Sequence, residues 1–513
     1  MSVSIDRIIQ NAEKSVKIAD FEAAKLTCSR GLERYPNNPR LIALADQLST
    51  KQFDRIPISV VKELRDLAGK SEWLSLTKRC LELLEIYENS AIVWNFLGCA
   101  QLRKGYALLS KTSHIRSRAI DPNYAANYSN LGNTLLELDE FDAAEEAHKM
   151  AIKLDPTDAP SHNNLGALYE VVGRHEDALR YFQKAHCLDR NYASAEYNLA
   201  GANLQKKNFK EGWKQRDARW KRWTRDEGLP FIETSRPLWD GSHVDRLYVW
   251  SEQGVGDEVM FASTFNELAS RCDSLVVACA PRLKSLFERT FGEKITFVDR
   301  AVGLTDEQFD FHAPAMTATG LLRQKIEDFR SSDSGFLNVD ERSVQSLRET
   351  LREAAGGRPV VGISWLSKNK KVGKRRSISP VELVSAIPED AFLLNLQYGN
   401  VTDDVKDVRH LLGRDIAVFD NIDNFSHLEA FACLIAACDK VVSIDNSTVH
   451  FAGAVGKECH VLLPKGPDWR WGREDDKFSY WYRSLSLHRQ TKPNDWNDAI
   501  QSLQSALNEN SPS

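Results

Sequence analysis

A period of 34 residues most constrains what this chain can fold into. Leu97-Gly98, Leu131-Gly132 and Leu165-Gly166 recur at that spacing, and Leu199 falls at the next step, followed by Ala200-Gly201. Trp94 precedes the first pair by three residues, and Tyr128 the second. Small residues return further along each copy, Ala144 and Ala151 in one, Ala178 and Ala185 in the next. Pro122 and Pro156 close their copies, while Arg190 stands where the third closing proline belongs. A fixed period of this length signals a repeated helical hairpin that buries its apolar face only against its neighbours. Ala24, Gly31 and Pro36 hold the same relative positions near the start, and residues 57–90 read as a degenerate copy. Four to six copies are expected over residues 1–205.

This pattern resembles the tetratricopeptide repeat, in which small residues let paired helices approach closely and the proline ends the second helix. Stacked repeats form a superhelix whose concave face commonly binds polypeptide. Lys206 to Arg225 follow, dense in basic and aromatic residues. Such interleaving can serve nucleic acid. Phe209, Trp213, Trp220 and Trp223 nevertheless fall near helical spacing, which predicts a last helix that packs the array onto the next domain, its charges solvated. Gly228 to Gly241, with Pro230 and Pro237, reads as a linker or domain edge.

Totals bound the rest. With 513 residues the chain holds two to four domains. A net charge of −5 gives no global reason to expect nucleic acid or an anionic membrane as partner. Nine cysteines, an odd number without a CxxC pair, fit reduced thiols in a cytosol-like compartment, so a cytoplasmic location is expected. The charged start does not suit a secretory signal, and no run reaches the roughly 18 apolar residues of a spanning helix.

From residue 247 the pattern changes. Short apolar runs at Leu247–Ser251, Ser274–Ala280, Ile295–Val298 and Phe309–Ala313 form one set. Val360–Trp365, Phe392–Gln397, Ile416–Phe419, Val441–Ile444 and His460–Leu463 form a second, after a break at Leu351–Pro359. Strand-length runs alternating with helical segments predict parallel sheets covered by helices. Two such units, joined by a short connection, predict a cleft between them.

Three places carry chemistry. After the first strand, Gly254-Val255-Gly256 should allow a tight turn with unusual backbone angles and deliver Asp257 to a helix start. A fixed carboxylate there can accept a proton from a hydroxyl, although the same residue can simply cap the helix. After Lys440–Ile444 come Asp445, Asn446, Ser447, Thr448 and His450, small polar residues that can start a helix and hold a phosphate, or serve as caps beside a core histidine. Lys368 to Arg376 hold six basic residues in nine, just past the strand ending near Trp365. Beside a cleft this run can neutralise a diphosphate, with Lys368 first and Lys374 next; otherwise it is a solvated loop. Gln397, at a strand end, is a candidate to read a base or ribose. No cluster has metal-ligand spacing, so no metal cofactor is expected.

Residues 440–464 resemble the nucleotide-sugar-binding signature of the heptosyltransferase-like glycosyltransferases, and Val249–Asp257 resembles the first strand and turn of that family. The resemblance covers about residues 240–498, including the segment Asp468-Trp469-Arg470-Trp471. It implies a GT-B fold, with Asp257 as catalytic base and Asp445, Ser447, Thr448 and His450 on the donor's diphosphate and sugar. The first lobe is short for a lipopolysaccharide heptosyltransferase. The expected architecture is therefore a tetratricopeptide-repeat superhelix followed by a GT-B-like pair of doubly wound α/β lobes. Its parts are the array (1–205), a connecting helix and linker (206–240), an acceptor-side lobe (241–350), a nucleotide-sugar lobe (351–498) and the end of a final helix with a tail (499–513).

The expected activity is inverting, metal-independent transfer from a nucleotide sugar to a hydroxyl. By analogy with O-GlcNAc transferase and repeat-bearing flagellin glycosyltransferases, the acceptor is read as a protein held by the repeats. The alternatives are a scaffold with an inactive transferase-like domain, or a transferase acting on a lipopolysaccharide core.

Overall fold

The computed structural model describes residues 4–17, 21–50, 56–222, 232–329, 335–369, 372–419 and 422–509. Contacts divide the chain into two compact units, Met1–Leu168 with Cys187–Asp189, and Tyr169–His186 with Arg190–Ser513.

The period of 34 appears in the helix starts. Ala91–Arg103, Ala125–Glu137, Ala159–Val171 and Ala193–Gln205 are the first helices of successive copies, and Ala107–Ile120, Phe141–Leu154 and His175–Leu188 are second helices. In the first unit, glycine is needed where helices meet. A Cβ on Gly98 would lie 2.6 Å from the His114 ring, and one on Gly132 2.5 Å from the His148 ring. Five more helices precede these copies, from Ile5–Lys17 to Trp73–Leu84, and the later ones share a core of Leu64, Leu76, Cys80, Tyr87 and Leu97.

The second unit holds two parallel sheets. The first comprises β1 (Val244–Trp250), β2 (Cys272–Cys279), β3 (Thr296–Asp299) and β4 (Phe311–Pro314), in the order β3-β2-β1-β4. The second comprises β5 (Val360–Ser364), β6 (Phe392–Asn395), β7 (Ile416–Ala417), β8 (Lys440–Ile444), β9 (Cys459–Leu463) and β10 (Leu485–Arg489), in the order β10-β9-β8-β5-β6-β7. Every pairing is parallel, as apolar runs alternating with helices demand. Sequence reading missed β10, whose LSLHR is broken by Ser486 and Arg489.

Three expectations need correction. The expected last helix is two short ones, Phe209–Arg216 and Arg219–Arg222, and they turn inward. Phe209 packs on Phe329 and Tyr480, Trp213 donates to the Arg323 carbonyl (2.7 Å), and Trp220 packs on Trp250. Arg219, fully buried, pairs with the equally buried Glu252 at 3.1 Å. The contacts therefore group residues 190–222 with the sheets, while Trp223 lies outside the described residues. The lobe boundary placed at residue 350 falls inside helix Glu341–Ala355, which packs on helix Leu428–Ala437 of the second sheet and ends at Gly356, φ +60°. Finally, helix Val255–Ala262 after β1 packs directly on helix Ser447–Ala454 after β8, within one apolar core that both sheets share. The expected cleft is filled there.

His114 and His148 are fully buried. Burial pushes both down to about 4; for His114 a hydrogen bond with Asn127 (2.9 Å) opposes this. Neither His148 nitrogen has a partner among the described residues. The folded pKa lies below the ordinary 6.5, so the fold prefers the neutral rings. That stability is fully present above pH 6.5 and is lost as the pH falls toward 4. Amide exchange in helices 107–120 and 141–154 of the full chain, corrected for its intrinsic pH dependence, should accelerate over that interval. His148→Phe should blunt the effect; protection that stays flat in the parent protein contradicts it.

Candidate functional site

In a parallel sheet, ligands sit at the carboxyl ends of strands where the strand order reverses. The second sheet reverses between β5 and β8, and the first between β1 and β4. Asn446 marks the β5/β8 point. Its side chain caps helix Ser447–Ala454 by accepting from the Thr448 N–H (3.0 Å), and its amide donates to Ser364 Oγ at the end of β5 (2.7 Å).

At these ends five charged side chains form an alternating chain. Arg470 Nη2 lies 2.7 Å from Asp257 Oδ1, and Arg470 Nε lies 3.6 Å from Asp468 Oδ1. Arg376 Nη2 lies 3.6 Å from Asp468 Oδ2, and Arg376 Nε 3.1 Å from Asp445 Oδ2. Asp257 follows β1, Arg376 follows β5, Asp445 directly follows β8, and Asp468 and Arg470 follow β9. The side chains range from 2% exposed at Asp445 to 22% at Asp468, so water screens them poorly.

His450 lies beside them, on the first turn of its helix. Its ring stacks on Trp471 (centroids 5.6 Å apart), and Nδ1 lies 3.2 Å from the Tyr482 hydroxyl. Burial, reinforced by Arg470 and outweighing Asp468, holds its pKa well below the ordinary value, so the imidazole is neutral. Burial lifts the Asp257 carboxyl above its usual range; Arg470 opposes this, and Asp468 and Asp445 add to it. Burial also lifts Asp468, but Arg470, Arg376 and Arg216 outweigh it and hold that carboxyl below its usual range.

Of the residues named from sequence, Asp257, Asp445, Ser447, Thr448 and His450 come together. Gly256 does too, for a different reason than expected. Gly254 has φ −75°, and neither glycine of the turn has a positive φ. A Cβ on Gly256 would lie 3.0 Å from the His450 ring and 3.3 Å from Ser447 Cα, so glycine lets the two helices touch.

The other assignments fare differently. Lys368 is exposed and lies over the Tyr398 ring (5.2 Å), apart from the charge chain. Lys374 is exposed on the short helix Gly373–Arg376. Gln397 is 1% exposed, and its carbonyl accepts from Ser364 Oγ, Trp365 N and Leu366 N. It caps the end of β5 and has no face for a base or ribose. The side chain of Asn446 is likewise committed to its turn. The sequence reading gave Arg376, Asp468 and Arg470 no individual role, although the basic run and the Asp468–Trp471 segment contain them. The signal for Arg376 was the basic run itself, and for the other two a paired Asp-Arg directly after a strand. Asp468 and Arg376 also line a cavity of about 280 Å³.

Among the described residues no group of three His, Cys, Asp or Glu side chains could hold a metal ion, and no helix is long and apolar enough to cross a membrane.

Comparison with known proteins adds four findings. A family model described as tetratricopeptide repeat matches residues 159–192. Protein FlbA of Caulobacter vibrioides is 26% identical over 442 residues, 82% of this chain and 67% of FlbA, so the similarity extends beyond the repeats into the sheets. A protein O-mannosyl-transferase of Caenorhabditis elegans is 35% identical over 78 residues, 15% of this chain and 11% of that protein. Among solved structures, MamA is 20% identical, with 33% of this chain and 95% of MamA covered and a TM-score of 0.27. The chain thus carries tetratricopeptide repeats ahead of parallel α/β sheets and resembles FlbA over most of its length.

Proposed function

We propose that the second unit is a GT-B-type glycosyltransferase that moves a sugar from a nucleotide donor to a protein hydroxyl. The observation that carries this reading is the convergence of Asp257, Asp445, Ser447 and His450 with two arginines at the strand ends. In this reading the acceptor oxygen attacks the anomeric carbon while Asp257 takes its proton, once Arg470 has shifted off that carboxylate. The bond from the anomeric carbon to the diphosphate oxygen breaks, and its electron pair leaves with the nucleoside diphosphate. Attack opposite the leaving group inverts the anomeric centre. Arg376 and Arg470 supply positive charge for the diphosphate, beside the N–H groups that open helix Ser447–Ala454. The repeats recruit the protein acceptor, flagellin being one candidate, and the work is cytoplasmic. The O-mannosyl-transferase relative supports sugar transfer to protein as the class of reaction.

One observation favours a second reading, a repeat scaffold whose transferase-like part turns nothing over. Asp257 is already held by Arg470, and Asp445 and His450 are buried under packed helices. Incubating the full-length protein with a panel of nucleotide sugars, while following thermal shift and nucleotide release, separates the two. Binding without release, whatever the acceptor, establishes the scaffold.

If the transferase reading holds, Asp257→Asn should retain donor binding and lose at least about 100-fold in turnover. Near-native turnover removes Asp257 from the mechanism. Its raised pKa also places the acid limb of the rate profile above the usual aspartate range, activity falling as the pH drops through that limb.

Arg376→Ala and Ser447→Ala should each weaken nucleotide affinity by roughly 1–3 kcal/mol in calorimetry, the worth of a charge-assisted hydrogen bond. Unchanged affinity in both moves the donor elsewhere. A chelator should leave activity intact, and strict dependence on a divalent ion refutes the metal-free mechanism.

A further inference from the structure

The cavity of about 280 Å³ beside the charge chain is built from two sources. The loops after β5, β9 and β10 contribute Arg376, Asp468 and Asn494. Repeat helices contribute Glu170, near the end of helix Ala159–Val171, and Tyr197 and Gly201 on helix Ala193–Gln205. The loop after β9 is seated on the helix end because Gly466 lies against the Glu170 carbonyl, where a Cβ would collide. Gln205 reinforces that seat by donating to the Pro467 carbonyl (3.3 Å).

Arg376, assigned to the donor's diphosphate, borders this cavity, whereas Asp445, Ser447, Thr448 and His450 do not line it. Its link to the chemistry runs through Asp468, 3.6 Å from Arg470, whose other end holds Asp257. Arg216, in the cavity wall, donates to the Tyr197 hydroxyl (2.8 Å) and lies over that ring (4.0 Å). The Glu170 carboxylate, by contrast, makes no hydrogen bond or ion pair among the described residues. The Glu170 side chain is partly exposed in the cavity wall, so an N–H or O–H entering the cavity can donate to it.

We propose that this cavity is the acceptor subsite, taking an extended polypeptide segment that carries a hydroxyl side chain, with Glu170 accepting a hydrogen bond from that segment. It rests on the glycosyltransferase reading. The position fits: one wall belongs to the first helices of repeats, whose inner face is the polypeptide-binding side of such arrays, and the floor reaches the pair that holds Asp257. The electrostatics fit as well. Burial, with Asp468 beside it, pushes Glu170 up to about 7 against the pull of Arg216. The remaining charged groups lining the cavity, Arg375, Arg376 and Lys465, leave it without the negative excess that would select a basic ligand.

The test uses the full chain with a photo-crosslinking benzoylphenylalanine at Val372, which lines the cavity, or at Leu411, which is exposed and does not. The probe is a biotinylated degenerate octapeptide library with a fixed central serine or threonine. Peptide should label the Val372 protein well above the Leu411 control. Glu170→Leu, which removes both acceptor oxygens, should cut that labelling about tenfold. Gly201→Leu tests the space separately: a Cβ there meets only Arg216 Nη1, at 3.7 Å, so the added side chain starts into the space beside Arg216. It should abolish labelling while nucleotide affinity stays within about twofold. Equal labelling at both positions, or labelling indifferent to both substitutions, overturns the proposal. Loss of nucleotide binding in Gly201→Leu, with peptide labelling kept, assigns the cavity to the donor and also overturns it. The two readings fail separately. A parent protein that binds no nucleotide sugar sinks the transferase reading, whereas one that binds nucleotide sugar but takes no peptide at Val372 sinks only the acceptor subsite.

Discussion

The arrangement of the second unit depends on the alternating chain Asp257–Arg470–Asp468–Arg376–Asp445. Two unit charges about 4 Å apart attract by roughly 4 kcal/mol at an effective dielectric near 20, so each link is worth little in water and much here. The chain has three carboxylates and two guanidiniums, and every member except the ends touches two of the opposite sign. Deleting an inner member would leave neighbours buried and uncompensated, which costs more than the link itself contributes. Loops after β1, β5, β8 and β9 supply the five groups, so the pairing ties the first sheet to the second at the strand ends. Trp469, Trp471 and Tyr482, all nearly fully buried, keep water out of it.

Much of the fold was legible because parallel strands are buried on both faces and leave continuous apolar runs. Nine of ten strands announced themselves this way; β10 did not, since an edge strand tolerates the serine and arginine that interrupt it. The repeats were legible for the opposite reason, a constraint spread over 34 residues and repeated. The site was half legible. Asp445 directly follows a strand, and Asp257 sits in the first turn of the helix after β1, positions at the strand ends where open α/β sheets bind ligands. Which member of a basic run turns inward is a tertiary matter: Lys368 was the natural choice by position, yet Arg376 is the one whose planar fork meets Asp445 and Asp468. Gln397 and Asn446 misled because a polar residue at a strand end serves the backbone as readily as a substrate.

The repeat boundary shows why a period does not define a folding unit. The helix starting at Phe209 keeps the spacing of the second helices at Ala107, Phe141 and His175, but it stops after eight residues where those run for fourteen. A terminal repeat normally presents a polar outer face. Here Phe209 and Trp213 present an apolar one, covered by Phe329, Tyr480, Trp469 and the backbone at Gly320. The chain turns at Asp217, and Arg219 enters the sheet side to meet Glu252, directly past β1. The α/β part thus acts as the cap that the array lacks, and by sequence the last copy belongs to the repeats while by contact it belongs to the sheets.

The histidine at the site shows how burial selects chemistry. Tyr482 is buried, and burial raises its hydroxyl well above the ordinary tyrosine value, so it keeps its proton. Among the described contacts, Nδ1 of His450 is the acceptor available to that proton. His450 is itself held neutral, with one proton to place. When the hydroxyl donates to Nδ1, that proton sits on Nε2 and the ring becomes a neutral hydrogen-bond donor. A neutral donor suits a place where Arg376 and Arg470 already supply the charge: a third cation would be repelled by both, while an N–H can still donate to an oxygen brought beside it. The stacking on Trp471 fixes the plane in which that N–H points. Trp471 and Arg470 are neighbours in sequence, so the short Trp469–Trp471 turn after β9 sets both the charge facing Asp257 and the plane of His450.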